Sequence, residues 1–296
     1  MPNRAGIVVV GAGPGGCASA VQCRRLGATV RLIDQCGRAG GLIANAYRVE
    51  NYPGLDPAPG PEIADRLAAH LTCFDVAVER GLIERIERKG EGFVLHGTGT
   101  GIPATAVILA TGTEPLRLDV PGELALAGEH LFYEPRELLA RRSQLSRVLV
   151  IGGGEAAYDY ALTMAATGVS VTLVVRGNAP RAAARLVQMV DEASGIETLL
   201  GTRPTGVTPG VPGVVLQTTH GALGTEAILV AIGRRPVMPH LPEGFTLAAE
   251  PRVSTPMAGL FLVGDVRTGS LGQMGIAVGD GLRAAAGAVA RNRSIE

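Results

Sequence analysis

Two glycine-rich turns of one kind stand 141 positions apart in the chain, Gly11-Ala12-Gly13-Pro14-Gly15-Gly16 and Gly152-Gly153-Gly154-Glu155-Ala156-Ala157. Glycines let a backbone approach a phosphate closely, and a helix that begins there adds unpaired amides and a partial positive charge. A chain with two such turns is equipped to hold two dinucleotides and to move electrons between them. In the first turn Gly11, Gly13 and Gly16 supply the geometry, with Pro14 and Gly15 between them. An acid follows at Asp34, 23 residues after Gly11. A carboxylate at that distance accepts hydrogen bonds from ribose hydroxyls and repels a 2′-phosphate, so the site suits FAD or NAD rather than NADP. In the second turn Gly152, Gly154 and Ala157 take the three small-residue positions, beside Glu155 and Ala156. Where its acid would stand the residues are Val175 and Arg176. Arg176 and Arg181 can hold a 2′-phosphate by charge-assisted hydrogen bonds, which favours NADPH over NADH.

Thiols are the other redox candidates, and their spacing argues against a relay. None of the four cysteines, Cys17, Cys23, Cys36 and Cys73, forms Cys-x-x-Cys or Cys-x4-Cys. On one helix Cys17 and Cys23 are separated by about 9 Å of rise, beyond the ~7 Å Cα limit for a disulfide. They read as small core residues. Cys36 lies two positions past Asp34, at the expected adenosine end of the first nucleotide, and Cys73 stands alone. The five histidines, His70, His96, His130, His220 and His240, lack metal-ligand spacing, so no metal site is expected.

The elements that must position these residues are legible as a repeated plan. Each turn follows an apolar run, Ile7 to Val10 and Val148 to Ile151, and opens an alanine-rich helical stretch, the context a dinucleotide fingerprint requires. Later in each copy another apolar run ends in a glycine turn: Ala106 to Ala110 before Thr111-Gly112, and Ala227 to Ala231 before Ile232-Gly233. This is one long internal duplication rather than a short-period solenoid. A third turn, Val263-Gly264-Asp265, follows the strand Leu260 to Val263, and residues Gly275 to Arg291 read as a closing helix. The expected fold class is α/β, with two Rossmann-like dinucleotide-binding domains. Pro- and Gly-containing segments place the second, residues 115–243, as an insertion into the first, residues 1–114 and 244–296.

Composition narrows the class further. The 296 residues are 46% hydrophobic and 18% charged, the profile of a compact globular chain. Lys plus Arg equals Asp plus Glu at 27 each, so no overall field draws in nucleic acid or an anionic membrane. No apolar run approaches the roughly 20 residues that span a bilayer. The first strand begins almost at once, leaving no room for a signal peptide, and a cytoplasmic location is the expectation.

Taken together, these motifs resemble the thioredoxin-reductase-like branch of the FAD-dependent pyridine nucleotide-disulfide oxidoreductases. The resemblance rests on the first glycine turn, Gly40-Gly41-Leu42, Val49-Glu50-Asn51-Tyr52-Pro53-Gly54 and Ala110-Thr111-Gly112. It continues through Ile151 to Gly154, Arg176 to Arg181, Ala231-Ile232-Gly233, and Val263-Gly264-Asp265 with Gln273 downstream, covering nearly the whole length. It implies FAD in the first site and NADPH in the second, in a homodimer. It further implies that Asp34 contacts the adenosine ribose and Asp265 the ribityl chain, that Asn51 lies near the isoalloxazine, and that Thr111-Gly112 passes close to the cofactor.

One departure from that family bears on the chemistry. Thioredoxin reductases carry a Cys-x-x-Cys shortly before the second glycine turn, whereas here the stretch His130 to Leu139 reads HLFYEPRELL and holds no cysteine. It looks more like the linker of relatives without the dithiol, such as thioredoxin-reductase-like ferredoxin–NADP reductases and bacillithiol-disulfide reductase-like enzymes. The expectation is an enzyme that passes electrons from NADPH through flavin to an external acceptor: a small disulfide, an iron–sulfur protein, a quinone or oxygen. Two alternatives stand beside it: a flavin-binding sensor or complex subunit that does not turn over NADPH, and a disulfide reductase using displaced cysteines, Cys36 foremost.

Overall fold

The computed structural model describes residues 6–97, 99–142, 144–247, 252–269 and 272–295. The chain divides into two compact units, one built from Met1–Ala44, Glu50–Glu114 and Arg235–Glu296, the other from Asn45–Val49 and Pro115–Arg234. Both are Rossmann-like, and the shared topology follows from the repeated apolar runs.

In the first unit β1 (Gly6–Val10) leads through the glycine turn into α1 (Pro14–Arg25) and β2 (Val30–Asp34). A single 3-10 turn (Gly41–Asn45) and α2 (Gly60–Cys73) follow. The strands β3 (Val78–Arg80), β4 (Ile83–Lys89), β5 (Gly92–Gly97) and β6 (Ile102–Leu109) then complete this part, and β7 (Thr113–Pro115) leads out. Strand β1 lies between β2 and β6, pairing in parallel with both, so the turn after it opens at the crevice where strand order reverses. Strand β1 from Ile7 and strand β6 from Ala104 are buried on both faces, as their largely apolar runs demand.

The second unit repeats the arrangement. After α3 (Glu123–Leu126), β8 (Leu131–Phe132) and α4 (Pro135–Arg141) come β9 (Arg147–Ile151), α5 (Glu155–Ala165) and β10 (Ser170–Val174). Then follow α6 (Ala184–Glu192) and β11 (Ile196–Leu199). An antiparallel three-stranded meander, β12 (Pro204–Pro209), β13 (Val214–Thr218) and β14 (Gly221–Thr225), precedes β15 (Ala227–Val230). The order β11-β10-β9-β15-β8 is parallel throughout, with β9 in the place that β1 holds in the first unit.

The chain returns through β16 (Arg234–Pro236), which pairs with β7, to β17 (Leu260–Leu262), α7 (Asp265–Thr268) and α8 (Met274–Ile295). Strand β17 extends the parallel part of the first sheet beside β6. The return comes at Arg234–Arg235, ahead of the expected boundary after residue 243. The reason is packing: Val237 N donates to Gly112 O at 3.1 Å, and His240 exchanges backbone hydrogen bonds with Glu84 and Ile86 at 2.8 Å each. Met238 and Leu241 also join the apolar cluster around β4 to β6. Helix α8 runs past the expected Arg291 to Ile295; beyond the face that Ala284, Ala285, Ala288 and Val289 bury, Asn292 is itself buried and accepts from Thr105 Oγ1 at 2.5 Å, which ties down the last turn.

Candidate functional site

Three glycines of the first turn divide between two roles. Gly11 has φ +100°, and a β-carbon there would stand 2.2 Å from Ala110 O. At Gly16 it would stand 1.8 Å from Gly11 O. These two serve the fold of the turn itself. Gly13 is different: a β-carbon there meets nothing within 4 Å, so its missing side chain keeps space open rather than relieving a clash. Gly13 is also the N-cap of α1 without a side-chain cap, and the first helical bond runs from Cys17 N to Gly13 O at 2.9 Å. The amides of Gly15 and Gly16 precede that bond, and Pro14 has none, so the helix start is shaped for an anion.

Asp34 ends β2 beside this turn. Its Oδ2 accepts from Ala12 N at 3.0 Å and its Oδ1 from Cys36 N at 2.8 Å. A carboxylate offers about four acceptor positions, so capacity remains for ribose hydroxyls. Gly41 packs against the turn, its ideal β-carbon 2.9 Å from Gly13 Cα, and Leu42 follows it half-buried in the 3-10 turn. Thr111 Oγ1 donates to Val237 O at 2.5 Å while Gly112 O accepts from Val237 N, which fixes the segment following Ala110. Asn51 Nδ2 donates to Gln273 Oε1, joining two expected site residues 222 positions apart in sequence. Asp265 opens α7 immediately after Gly264, whose φ of 71° only glycine adopts readily, and a β-carbon built on Gly272 would stand 3.1 Å from the Asp265 Oδ2. An open cradle at a helix start, an acid at the end of the following strand and a second acid on a third turn together fit FAD.

The second copy reproduces the close approaches of the first at its turn. A β-carbon on Gly152 would again stand 2.2 Å from the carbonyl following the last strand, here Ala231 O. This shared close approach explains why both copies carry a glycine as the first residue of the turn. Gly154 matches Gly13, an uncapped helix N-cap whose β-carbon would meet nothing within 4 Å. Glu155 and Ala156 are both exposed in the first turn of α5. Val175, where an acid would stand, is buried. Arg176 follows it exposed, and the loop beyond folds back so that Arg181 N donates to Gly153 O at 2.7 Å, with the Arg181 side chain exposed. The residues fit a pyridine nucleotide with a 2′-phosphate.

A polar cluster in the second unit has no counterpart among the sequence motifs. Glu134, just before α4, accepts from Arg234 Nη1 at 2.6 Å through Oε1, and from Asn45 Nδ2 at 2.7 Å and Tyr160 OH at 2.8 Å through Oε2. Burial and the facing Glu134 carboxylate hold the Tyr160 phenol well above its ordinary pKa. Next to it on α5, Asp159 accepts from Tyr47 N at 3.0 and 2.9 Å, and burial pushes its pKa up to about 6 against the lowering effect of the Tyr47 and Arg48 amides. These contacts bring Asn45–Val49 into the second unit. No local sequence signal announces them, since each joins residues far apart in the chain.

All four thiols are free and lie in the first unit. Cys17 and Cys23 are buried on α1, and burial pushes each thiol pKa up to about 12. Cys36 and Cys73 are exposed. Among the described residues no cluster of His, Cys, Asp and Glu can hold a metal, and no helix is long and apolar enough to cross a membrane.

A profile of the pyridine nucleotide-disulphide oxidoreductases matches residues 5–281. The chain is 28% identical to the thioredoxin reductase of Bacillus subtilis over 301 aligned positions, covering 94% of this chain and 92% of that one. It is 26% identical to the thioredoxin reductase of Listeria monocytogenes, over 93% of this chain and 90% of that one. Its fold is similar to the crystal structures of thioredoxin reductase from Lactococcus lactis in the FR conformation and from T. acidophilum. The TM-score is 0.87 and the identity 26% with each, over 98% and 99% of this chain and all of theirs.

Proposed function

The chain belongs to the pyridine nucleotide-disulphide oxidoreductase family, and on that footing we propose that it passes electrons from NADPH through FAD directly to an external acceptor, without a dithiol of its own. It is an FAD-dependent NAD(P)H oxidoreductase. When bound, FAD supplies the two-electron chemistry, accepting the hydride of NADPH and yielding electrons to the acceptor. In this reading the chain's own work is binding and orientation. The α1 start at Gly13 receives the FAD pyrophosphate, Asp34 its adenosine ribose and Asp265 its ribityl hydroxyls, while Asn51 and Gln273 brace each other beside the ring. The α5 start at Gly154 receives the NADPH pyrophosphate, with Arg176 and Arg181 on the 2′-phosphate.

The observation that carries the direct route is the placement of the thiols. The unit with the second glycine turn contains no cysteine, and the stretch His130 to Leu139 presents Glu134 in an ion pair instead. A relay needs two thiols within reach of each other. We assign the enzyme to the cytoplasm as a homodimer, with a small disulfide, an iron–sulfur protein, a quinone or oxygen as acceptor. Anaerobic titration with NADPH, followed by a screen of those acceptors for flavin reoxidation, tests the reading. Uptake should stop at two electrons per FAD, by the count for a flavin alone, and a variant with all four cysteines changed to serine should still be reduced. Uptake of four electrons that drops to two in Cys36→Ser refutes it.

A further inference from the structure

The third glycine turn is held from behind by a residue outside every motif of the sequence. Asp280, in the second turn of α8, is 5% exposed. Its Oδ2 accepts from Gly264 N at 3.1 Å and from Arg267 Nε at 2.9 Å, and its Oδ1 accepts from Arg267 Nη2 at 3.0 Å. One carboxylate therefore grips both ends of the segment that carries Asp265. That segment cannot place itself. Helix α7 is a single turn, too short to be stable alone, and it is bounded by Gly264 at φ 71° and Gly269 at φ 57°.

Helix α8 is also the element that seats the first glycine turn. A β-carbon on Gly281 would stand 2.5 Å from Gly15 O, and one on Gly15 would stand 2.5 Å from Val263 Cγ1 and 3.0 Å from Ala277 O. The α1 and α8 backbones meet here with no side chain between them, close against the end of β17. Both turns read as FAD contacts are thus referenced to one stretch of helix, Ala277 to Gly281, and Asp280 is its charged member. A buried ion pair adds little net stability compared with apolar packing of the same volume, and fixing registry is the best-attested use of such a pair.

We propose that Asp280 is a positioning residue for the flavin: through the Gly264 amide and the Arg267 guanidinium it sets the distance between the Asp265 turn and the pyrophosphate turn. The proposal rests on the FAD reading of Gly13, Asp34 and Asp265. The test uses the full-length protein stripped of flavin and titrated with FAD, with affinity read from flavin fluorescence and geometry from the visible circular dichroism of the bound flavin. Melting temperatures of the apoproteins are measured alongside. Asp280→Ala loses every bond in the grip and should bind FAD about 10- to 100-fold more weakly, the effect of removing a buried charged acceptor. Asp280→Asn keeps one acceptor oxygen and should fall between the alanine variant and the wild type, at about 3- to 10-fold. Both should show an altered visible dichroism. A lower apoprotein melting temperature with wild-type affinity and dichroism would overturn the proposal, because the carboxylate would then serve the fold alone. If the alanine variant does not fold, the asparagine variant decides by the same two readings. Failure of the wild-type protein itself to take up FAD would instead reject the underlying assignment.

Discussion

If the proposed nucleotide sites are right, Gly13 and Gly154 separate ligand binding from folding in a way that can be measured at each site independently. At Gly13 the backbone is extended, φ −69° and ψ −179°, a conformation open to any residue, and a β-carbon would meet nothing within 4 Å. Replacing an N-cap glycine by alanine costs about 0.5–1 kcal/mol. Restricting the unfolded chain returns about 0.4–1 kcal/mol. The apoprotein stability of Gly13→Ala should therefore stay within about 0.5 kcal/mol of wild type, a shift of about 2 °C or less for a chain of this size. FAD binding should behave otherwise, since the added methyl stands in the space left for the pyrophosphate; overpacking of about 1–3 kcal/mol gives a 5- to 150-fold weaker complex. Gly154→Ala should do the same to NADPH while leaving FAD affinity unchanged. As a control, Gly16→Ala places its β-carbon 1.8 Å from Gly11 O and should unfold the turn outright. Apoprotein melting, FAD titration by fluorescence and the NADPH concentration for half-maximal flavin reduction supply the three readings. Wild-type FAD affinity in Gly13→Ala, or equal damage to both nucleotides from either variant, would show that these glycines are not the approach points.

Three further outcomes are expected. Changing Arg176 and Arg181 together to alanine should abolish the preference for NADPH while leaving NADH use nearly unchanged; equal loss with both nucleotides would contradict the assignment. Asp34→Ala should weaken FAD by about 1.5–3 kcal/mol, the range for a hydrogen bond to a charged group. It should also lower apoprotein stability, since the same carboxylate holds the Ala12 and Cys36 amides; a change in affinity alone would mean those amide bonds are idle. Asp159 has a folded pKa raised from 3.8 to about 6, so its contribution to stability is fully present below about pH 4 and lost as pH rises through 6. At 1.36 kcal/mol per pH unit that is about 3 kcal/mol in all, so the stability of wild type relative to Asp159→Asn should fall by about 2.4 kcal/mol between pH 4 and 7. A difference that stays constant across that range would count against it.

The nucleotide turns are legible in the sequence because phosphate recognition is done by backbone over a few consecutive residues. Gly11, Gly13, Gly16 and their counterparts at 152, 154 and 157 carry the whole geometry in six positions. The first glycine of each turn has a structural cause of its own, the 2.2 Å approach of the Ala110 or Ala231 carbonyl to its missing side chain. What escapes a sequence reading is the set of contacts made by single polar groups across long separations. Asn45 and Arg234 reach Glu134 from 89 and 100 positions away, and Asp280 looks in sequence like any acid on an alanine-rich helix. The return boundary differs from the expected one for a related reason. Pro236 and the prolines after it signal a loop, but the backbone pairing of His240 with β4 makes that loop part of the first unit.

The Glu134 cluster bears on the proposed route by what occupies the stretch before the second glycine turn. Both oxygens of Glu134 are engaged, Oε1 by a guanidinium and Oε2 by an amide and a phenol. Glu134 and Arg234 are each only 21% exposed, and removing one partner of such a pair strands the other's charge at a cost of several kcal/mol. The group is therefore committed to holding β8, α5, β16 and Asn45 in place. A carboxylate in an ion pair stores no electrons, and the hydroxyl beside it has its pKa pushed upward, away from the phenolate that oxidation would favour. On the direct route, electrons from the flavin find no carrier in this stretch. Under the proposed reading the acceptor then has to approach the flavin itself, and the residues that would border that approach are Asn51 and Gln273, which hydrogen-bond each other.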